Sequence, residues 1–401
     1  MGPSGAAAGA MRGLAERWVP LVAAGAKEKP GAAGARGKPA GSGGGDGPGD
    51  GSGVGDFVCS PAGLWLALTA VAAGARGETA EELRRLLGAA GPDAARAVTE
   101  VGRAFAGEDA LGVATRVWSK VPVYRAYREA LPDVGFGPLA PDGPGGPGGQ
   151  EEVDAWVREV TGGLIDRLPV ELTPDMLLVL VNALVLKARW EVPFEGAATR
   201  DADFVDGAGV RHRVPTMHRT VPVGDAWSVD GGRATVVELR CAGASSVRVR
   251  LVLGAVGAGA EEVLPLGWAA GPERCAPLDA DVVALALPRF VLRARVDVTD
   301  QLGELGAGAV LGARADFSLM SPERLAVSEV VQEAVVRVGE AGVEAAAVTA
   351  VPMAPGGAPP PVRRVERVAF ERPFGVVVVA GEGELGVPLF VGWQGGRPVA
   401  G

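Results

Sequence analysis

Hydrophobic and polar positions change their period several times along this chain, and each change predicts an element. Met11, Leu14, Trp18 and Leu21 recur at helical spacing, which predicts an amphipathic first helix. Gly, Ala, Pro, Ser and Asp then dominate residues 25–55, without an aromatic residue, so this stretch is expected to be a flexible insertion that buries too little surface to order itself. A second cluster of chain breakers, Pro138 to Gly149, precedes the mostly helical apolar spacing of Val153, Trp156, Val157, Val160 and Ile165. Leu177 to Leu186 is almost unbroken apolar sequence and predicts a strand buried on both faces. Thr235 to Leu239 and Ser246 to Leu253 predict further strands, and Asp300 to Leu305 a short helix. Strands and helices mixed without regular βαβ alternation indicate the α+β class, and there is no internal repeat.

The most informative pattern lies near the C-terminus. Val330 to Val338 is rich in β-branched residues, and Gly342 follows as a position of backbone freedom. Beyond it, period-two counting puts Val343, Ala345, Ala347, Thr349 and Val351 on one face of an extended segment, with Glu344, Ala346, Val348 and Ala350 on the other. The first face is wholly small or apolar. Such a segment suits insertion between two strands of an existing sheet, where a charge would be desolvated. An alanine-rich run is also a good helix former, so the segment by itself leaves both readings open.

Composition narrows the classes. With 401 residues, 48% hydrophobic and 22% charged, the chain has the balance of a soluble globular protein, and length alone suggests two or three domains. The net charge is −9, with no Lys/Arg block, so neither nucleic acid nor an anionic membrane is an expected partner. No apolar run approaches the ~20 residues of a membrane span. Cys59, Cys241 and Cys275 are widely spaced and odd in number, which predicts buried free thiols rather than disulfides or a metal site. The N-terminus has no charged leader with an apolar core, so a cytoplasmic location is expected, with an extracellular one as the alternative.

Catalytic chemistry has little to stand on. The two histidines, His212 and His218, lie in neither a Gly-x-Ser-x-Gly nor a metal-ligand context and are expected at the surface. The Gly-rich stretch Ser42 to Gly55 lacks the Lys-Ser/Thr of a phosphate-binding loop. No cofactor and no metal are expected, and the chain is not read as an enzyme.

A set of short motifs gives a more specific reading through its order. Phe57-Val-Cys-Ser-Pro61, Gly74-Ala-Arg-Gly-Glu-Thr-Ala80, Val181-Asn182 to Lys187 with Trp190, Phe194, Thr199 and Phe204, and Leu287-Pro-Arg-Phe290 come first. The hinge glycine, alanine run, Pro359-Pro360-Pro361, Arg372-Pro-Phe374 and Pro388-Leu-Phe-Val-Gly392 follow. This series, covering about residues 10 to 398, resembles the serpin family, in a bacterial-type member. The resemblance implies one domain over 1–401, three β-sheets with eight or nine helices, and an exposed reactive-centre loop over 340–362. It also implies a monomer that inhibits a serine protease irreversibly: the protease cuts the loop, the freed part inserts into the main sheet, and the acyl-enzyme is trapped. A non-inhibitory binding or chaperone-like serpin is the alternative.

The same resemblance assigns residues. Glu340, Gly342, Val343, Glu344, Ala345, Ala346 and Ala347 correspond to the hinge. Counting seventeen residues from Glu340 places the scissile bond at Gly356-Gly357, with Met353-Ala354 as the alternative. A glycine offers no side chain to a pocket, which points to subtilisin-like or elastase-like proteases rather than trypsin-like ones. Ser60, Asn182 and Gln332 correspond to the polar cluster beneath the main sheet, where Gln332 replaces a usual histidine and Gly63 a second serine. Pro352 and Pro355 remove ladder donors toward the far end of the insertable strand. Trp190, Phe194, Phe204, Phe374 and Phe390 are expected in the core, and Arg363 and Arg364 at the surface.

Overall fold

The computed structural model describes residues 5–28, 55–140, 148–243, 246–269, 271–343, 364–381 and 386–400. Most of the expected insertion therefore lies outside the described residues, as do Glu344, Ala345, Ala346, Ala347, Met353, Ala354, Gly356, Gly357 and Arg363.

Strands with two apolar faces need cover on both sides. Phe374–Ala380 and Val387–Gln394 are buried at every position, and they lie within a seven-stranded antiparallel sheet. Its order is Phe57–Cys59, Val387–Gln394, Phe374–Ala380, Arg248–Gly254, Ala234–Arg240, Ala226–Val229 and Cys275–Pro277. The helix Pro61–Ala72 packs on this sheet. Its start follows from the sequence: Pro61 occupies the first turn, and the Ser60 hydroxyl caps the Gly63 N–H at 3.0 Å. Trp190, Phe194, Phe204, Phe374 and Phe390 are all core residues.

A second, four-stranded sheet has the order Val365–Ala369, Val282–Pro288, Arg211–Pro222 and Arg200–Val205. Val365–Ala369 joins it in parallel, so the chain re-enters a sheet just after the loop.

The remaining strands form two half-sheets rather than one. Phe290–Asp297, Val331–Val338, Gly342–Val343 and Ala188–Arg189 make a four-stranded unit, and Gly135–Pro138, Leu111–Ser119 and Leu178–Leu186 a three-stranded one. Only Lys187 separates Leu178–Leu186 from Ala188–Arg189, so one extended run serves both. The halves are joined at this upper end and separate below it. Among the described residues, the three sheets expected from the resemblance are thus four hydrogen-bonded units, with one sheet parted along its middle.

That parting corrects one burial expectation. Leu178, Leu180, Asn182 and Leu184 are only half-buried, since one edge of their strand opens on the gap. The helix count also differs. Among the described residues there are six α-helices of at least six residues and one single turn, Ala260–Val263, rather than eight or nine. Asp300 to Leu305 forms turns rather than the expected helix, since Gly303 interrupts it and Gly306 ends it with a φ of 78°. After Val263, Pro265 limits the chain to a 3₁₀ turn at Leu264–Gly267. The first helix, Gly5–Glu28, buries Met11, Leu14 and Trp18 fully and runs slightly into the stretch expected to be insertion. Cys59 and Cys241 are buried as expected, whereas Cys275 on an edge strand is half-buried. His212 is not a free surface residue: its ring Nε2 lies 2.7 Å from the Asp206 carboxylate and is largely covered. His218 is also half-buried, with a buried Nδ1 that has no partner in the described structure.

Gly342 controls how the hinge docks. A Cβ there would run into the Ala188 carbonyl and lie 2.7 Å from Arg189 Cα, both backbone atoms that cannot swing away. Gly342→Ala is expected to displace Gly342–Val343 from its neighbours and to cost about 1–3 kcal/mol by overpacking. Urea unfolding of the two proteins checks this, and an unchanged midpoint would contradict the close approach.

Candidate functional site

The gap between the half-sheets is a cavity of about 340 Å³. Its edges are the strands Leu178–Leu186 and Val331–Val338. Leu178–Leu186 pairs only with Leu111–Ser119, and Val331–Val338 pairs with Phe290–Asp297 and, at Val338 alone, with Val343. Among the described residues no strand pairs with the facing edges below that point. Leu64 and Leu68 of the helix Pro61–Ala72 line one wall. Val157, Thr161, Ile165 and Leu168, from the helix Gln150–Val160 and the turn after it, line the other. The cavity is a slot between two strand edges that are unpaired among the described residues, with a largely apolar lining.

The first residues of the loop already occupy the top of this slot. Gly342 pairs with Arg189 and Val343 with Ala188 on one side, while Val343 pairs with Val338 on the other. The Val343 side chain is 2% exposed. Of the residues that the resemblance assigns to the hinge, the three that are described, Glu340, Gly342 and Val343, lie at the slot entrance.

Above the entrance, Glu340 is held by a cluster of side chains remote in sequence. Arg289 Nε donates to its carboxylate at 2.7 Å, and Arg289 Nη2 forms an ion pair with the same oxygen. The Thr199 hydroxyl donates to it at 2.6 Å. Backbone atoms complete the latch: Phe194 N–H donates to Glu340 O at 2.9 Å, Trp190 N–H to Ala341 O at 3.0 Å, and the Trp190 indole N–H to Gly339 O at 2.9 Å. Burial pushes the Glu340 carboxyl upward, but hydrogen bonds from Arg289 and Thr199 outweigh it and hold the group below its ordinary range.

Ser60 and Gln332 meet at mid-slot. The Gln332 amide pairs with the Ser60 backbone in both directions, Ser60 N–H to Oε1 at 2.6 Å and Nε2 to Ser60 O at 2.9 Å. The Ser60 hydroxyl donates to Leu389 O at 2.6 Å. One amide side chain therefore ties the Val331–Val338 strand to the start of the helix Pro61–Ala72. A Cβ at Gly63 would sit 3.0 Å from Ser60 Oγ and 3.4 Å from Gln332 Nε2, so glycine leaves room for this pairing. Asn182 lines the same slot, but its Nδ2 donates to Thr115 Oγ1 at 2.8 Å on the neighbouring strand rather than to Ser60 or Gln332. Its Oδ1 is buried with no partner in the described structure. The structure thus brings together two of the three residues assigned to this cluster and places the third across the slot.

Sequence reasoning named Arg289 and Thr199 only as parts of motifs and missed that they hold Glu340. They stand 51 and 141 residues from it, so local spacing carries no signal, and charge complementarity alone hints at the Arg289 pair. Among the described residues there is no group of His, Cys, Asp or Glu arranged to hold a metal.

Comparison with known proteins agrees with this architecture. The family model described as "Serpin (serine protease inhibitor)" matches residues 51–393. A serine protease inhibitor of Cyanea capillata is 28% identical over 312 residues, covering 73% of this chain and 82% of its own length. The leukocyte elastase inhibitor of Bos taurus is 30% identical over 326 residues, covering 74% of this chain and 82% of its own. The solved structure of cleaved Serpin 42Da superposes with a TM-score of 0.71 at 21% identity, over 97% of this chain and 99% of that one, which shows a shared fold. The two relatives by sequence are eukaryotic, so the bacterial-type assignment finds no support.

The latch at Glu340 has a pH signature. A carboxylate with a depressed native pKa stabilises the fold above its unfolded value and loses that contribution as pH falls through the native one. Stability should therefore decline below the ordinary glutamate value of 4.5, and Glu340→Gln should remove part of that decline. At neutral pH the variant is expected to be about 1 kcal/mol less stable. Urea midpoints of both proteins measured across the acid range test this; parallel curves would remove Glu340 from the latch.

Proposed function

The chain belongs to the serpin family, and from that premise we propose that it inhibits serine proteases irreversibly by inserting its cut loop into the slot between Leu178–Leu186 and Val331–Val338. The observation that carries the reading is the slot itself, whose facing edges below Val343 pair with no strand among the described residues and which holds Gly342–Val343 at its top. Each further residue that follows Val343 downward gains ladder partners on both edges. At about 1 kcal/mol net per backbone hydrogen bond, a strand of roughly eight residues paired on both sides supplies on the order of 10 kcal/mol, comparable with the whole stability of a domain.

The face assignment follows from the docked residue. Val343 points into the core, so period-two counting puts Ala345, Ala347, Thr349 and Val351 on the same inward face. Small side chains there meet Leu64 and Leu68 without a clash. In this mechanism the protease serine attacks the carbonyl of Gly356, the bond to Gly357 breaks, and the ester remains on Gly356. Insertion then carries the attached protease away before water reaches the ester. Met353-Ala354 is the alternative cut. A loop with glycine at the cut suits a subtilisin-like or elastase-like enzyme, and similarity to an elastase inhibitor supports the second of these.

Incubation with subtilisin-like, elastase-like, chymotrypsin-like and trypsin-like proteases tests the proposal. A complex that survives denaturing electrophoresis, with a released peptide beginning at Gly357, is the expected result. Ala345→Arg is expected to abolish the complex and leave a cleaved substrate, because the guanidinium would have to enter the apolar wall. Cleavage of the unaltered protein without a complex would favour the non-inhibitory alternative.

A further inference from the structure

A second cavity, of about 390 Å³, opens at the far edge of the seven-stranded sheet and plays no part in the slot. Its floor is one face of four strands. Register sets Arg250 directly opposite Glu238 and Trp227 opposite Val236. Arg248 lies two residues from Arg250 on the same strand, hence on the same face. Pro277 lies opposite Trp227 on the edge strand, with Cys275 two residues away. The cavity is therefore walled by an indole, prolines and small residues, with two arginines and one glutamate as its charged groups.

The charges do not balance. Arg250 is 4% exposed, and its Nε donates to Glu238 at 2.9 Å, its Nη1 to Gly267 O at 3.0 Å, and its guanidinium stacks 5.5 Å from the Trp227 ring centre. Arg248 competes for the same carboxylate at 3.3 Å and donates to Gly381 O at 2.8 Å, yet remains 25% exposed. Among the described residues that line the cavity, two guanidiniums stand with one carboxylate, so this lining carries one net positive charge. Burying an arginine within an apolar strand such as Arg248–Gly254 costs free energy that a hydrophobic residue would not, which makes a purely structural role a poor explanation.

We propose that this cavity binds a small aromatic carboxylate, with its ring against Trp227 and Pro277 and its carboxylate on Arg248. The volume lies in the range of small-molecule sites, and the combination of apolar walls with a few convergent polar groups is what such sites present. A guanidinium pairs bidentately with a carboxylate. A monoanion neutralises the excess, whereas a dianion would leave a net negative charge beside Glu238.

The cavity contains its own reporter. Cys275 lines it and is half-buried, whereas Cys59 and Cys241 are buried. Burial raises the Cys59 thiol, and burial together with Glu108 pushes Cys241 up to about 12. Alkylation of the native protein by iodoacetamide therefore reads Cys275.

The experiment uses the full chain with 2-naphthoate and its neutral counterpart 2-naphthamide as probes. Naphthoate is expected to bind once per chain by calorimetry and to slow alkylation of Cys275, located by peptide mapping. The amide and the Arg248→Gln variant should each bind about tenfold or more weakly, the loss that follows from removing a charge-assisted hydrogen bond. Equal affinity for acid and amide, an unprotected Cys275, or the absence of binding would each overturn the proposal. The comparison of acid with amide needs no variant, and Trp227→Leu provides a second one if Arg248→Gln does not fold. Neither readout depends on protease inhibition.

Discussion

Two strands that do not pair govern this molecule. Among the described residues, the facing edges of Leu178–Leu186 and Val331–Val338 have no strand between them below Val343, in a cavity walled by Leu64, Leu68, Val157 and Ile165. Unpaired strand edges are normally blunted or covered, because they invite any extended chain to add to them. Here the edges are interior, so the extended chain with ready access is the one that starts at Gly342. In the proposed mechanism, hydrogen bonds that these edges do not make in the native sheet are free energy available to the inserted state.

The rest of the structure holds that gap in place without closing it. Gln332 spans from the Val331–Val338 strand to Ser60, and Ser60 reaches Leu389 in the seven-stranded sheet. Arg293 donates to Glu333 at 3.0 Å and to Leu164 O at 2.6 Å, which links the paired strands Phe290–Asp297 and Val331–Val338 to the turn beyond the covering helix. At the top of the slot, Arg289 and Thr199 fix Glu340. These contacts use polar groups with directional bonds. An apolar latch would slide, whereas a hydrogen-bonded one holds a position until it breaks.

The seven-stranded sheet and the helix Pro61–Ala72 supply the fixed frame. The Val376 to Val379 run is fully covered, and Phe374 touches Phe290, Phe204 and Phe370 edge to face at 5.2–6.4 Å between ring centres. Phe290 begins an edge strand of the four-stranded half-sheet, so this aromatic cluster is where the seven-stranded sheet and the divided sheet meet. Strain at the slot can be borne there because close-packed aromatic cores deform little.

Much of this was legible from residue order. Period two after Gly342 placed Val343 on an inward face, and it is buried; the apolar stripe from Val153 marked the helix Gln150–Val160; Ser60-Pro61 marked a helix start. These are local properties, set by side-chain periodicity, caps and proline geometry, and they need no partner from elsewhere in the chain. The division of one sheet into two was not legible, because a strand's composition says that it wants neighbours but not how many it has. Leu177 to Leu186 therefore looked doubly covered and is not. The same limit applies to Glu340 and Arg289, to Asn182, which turned to Thr115, and to Cys275, which an edge strand left half-covered. The sequence by itself determined most of the elements, the family and the face on which Val343 is buried. Which edges stay unpaired, which charges meet and which side chains reach solvent are sums over contacts distant along the chain, and only the tertiary structure decided them.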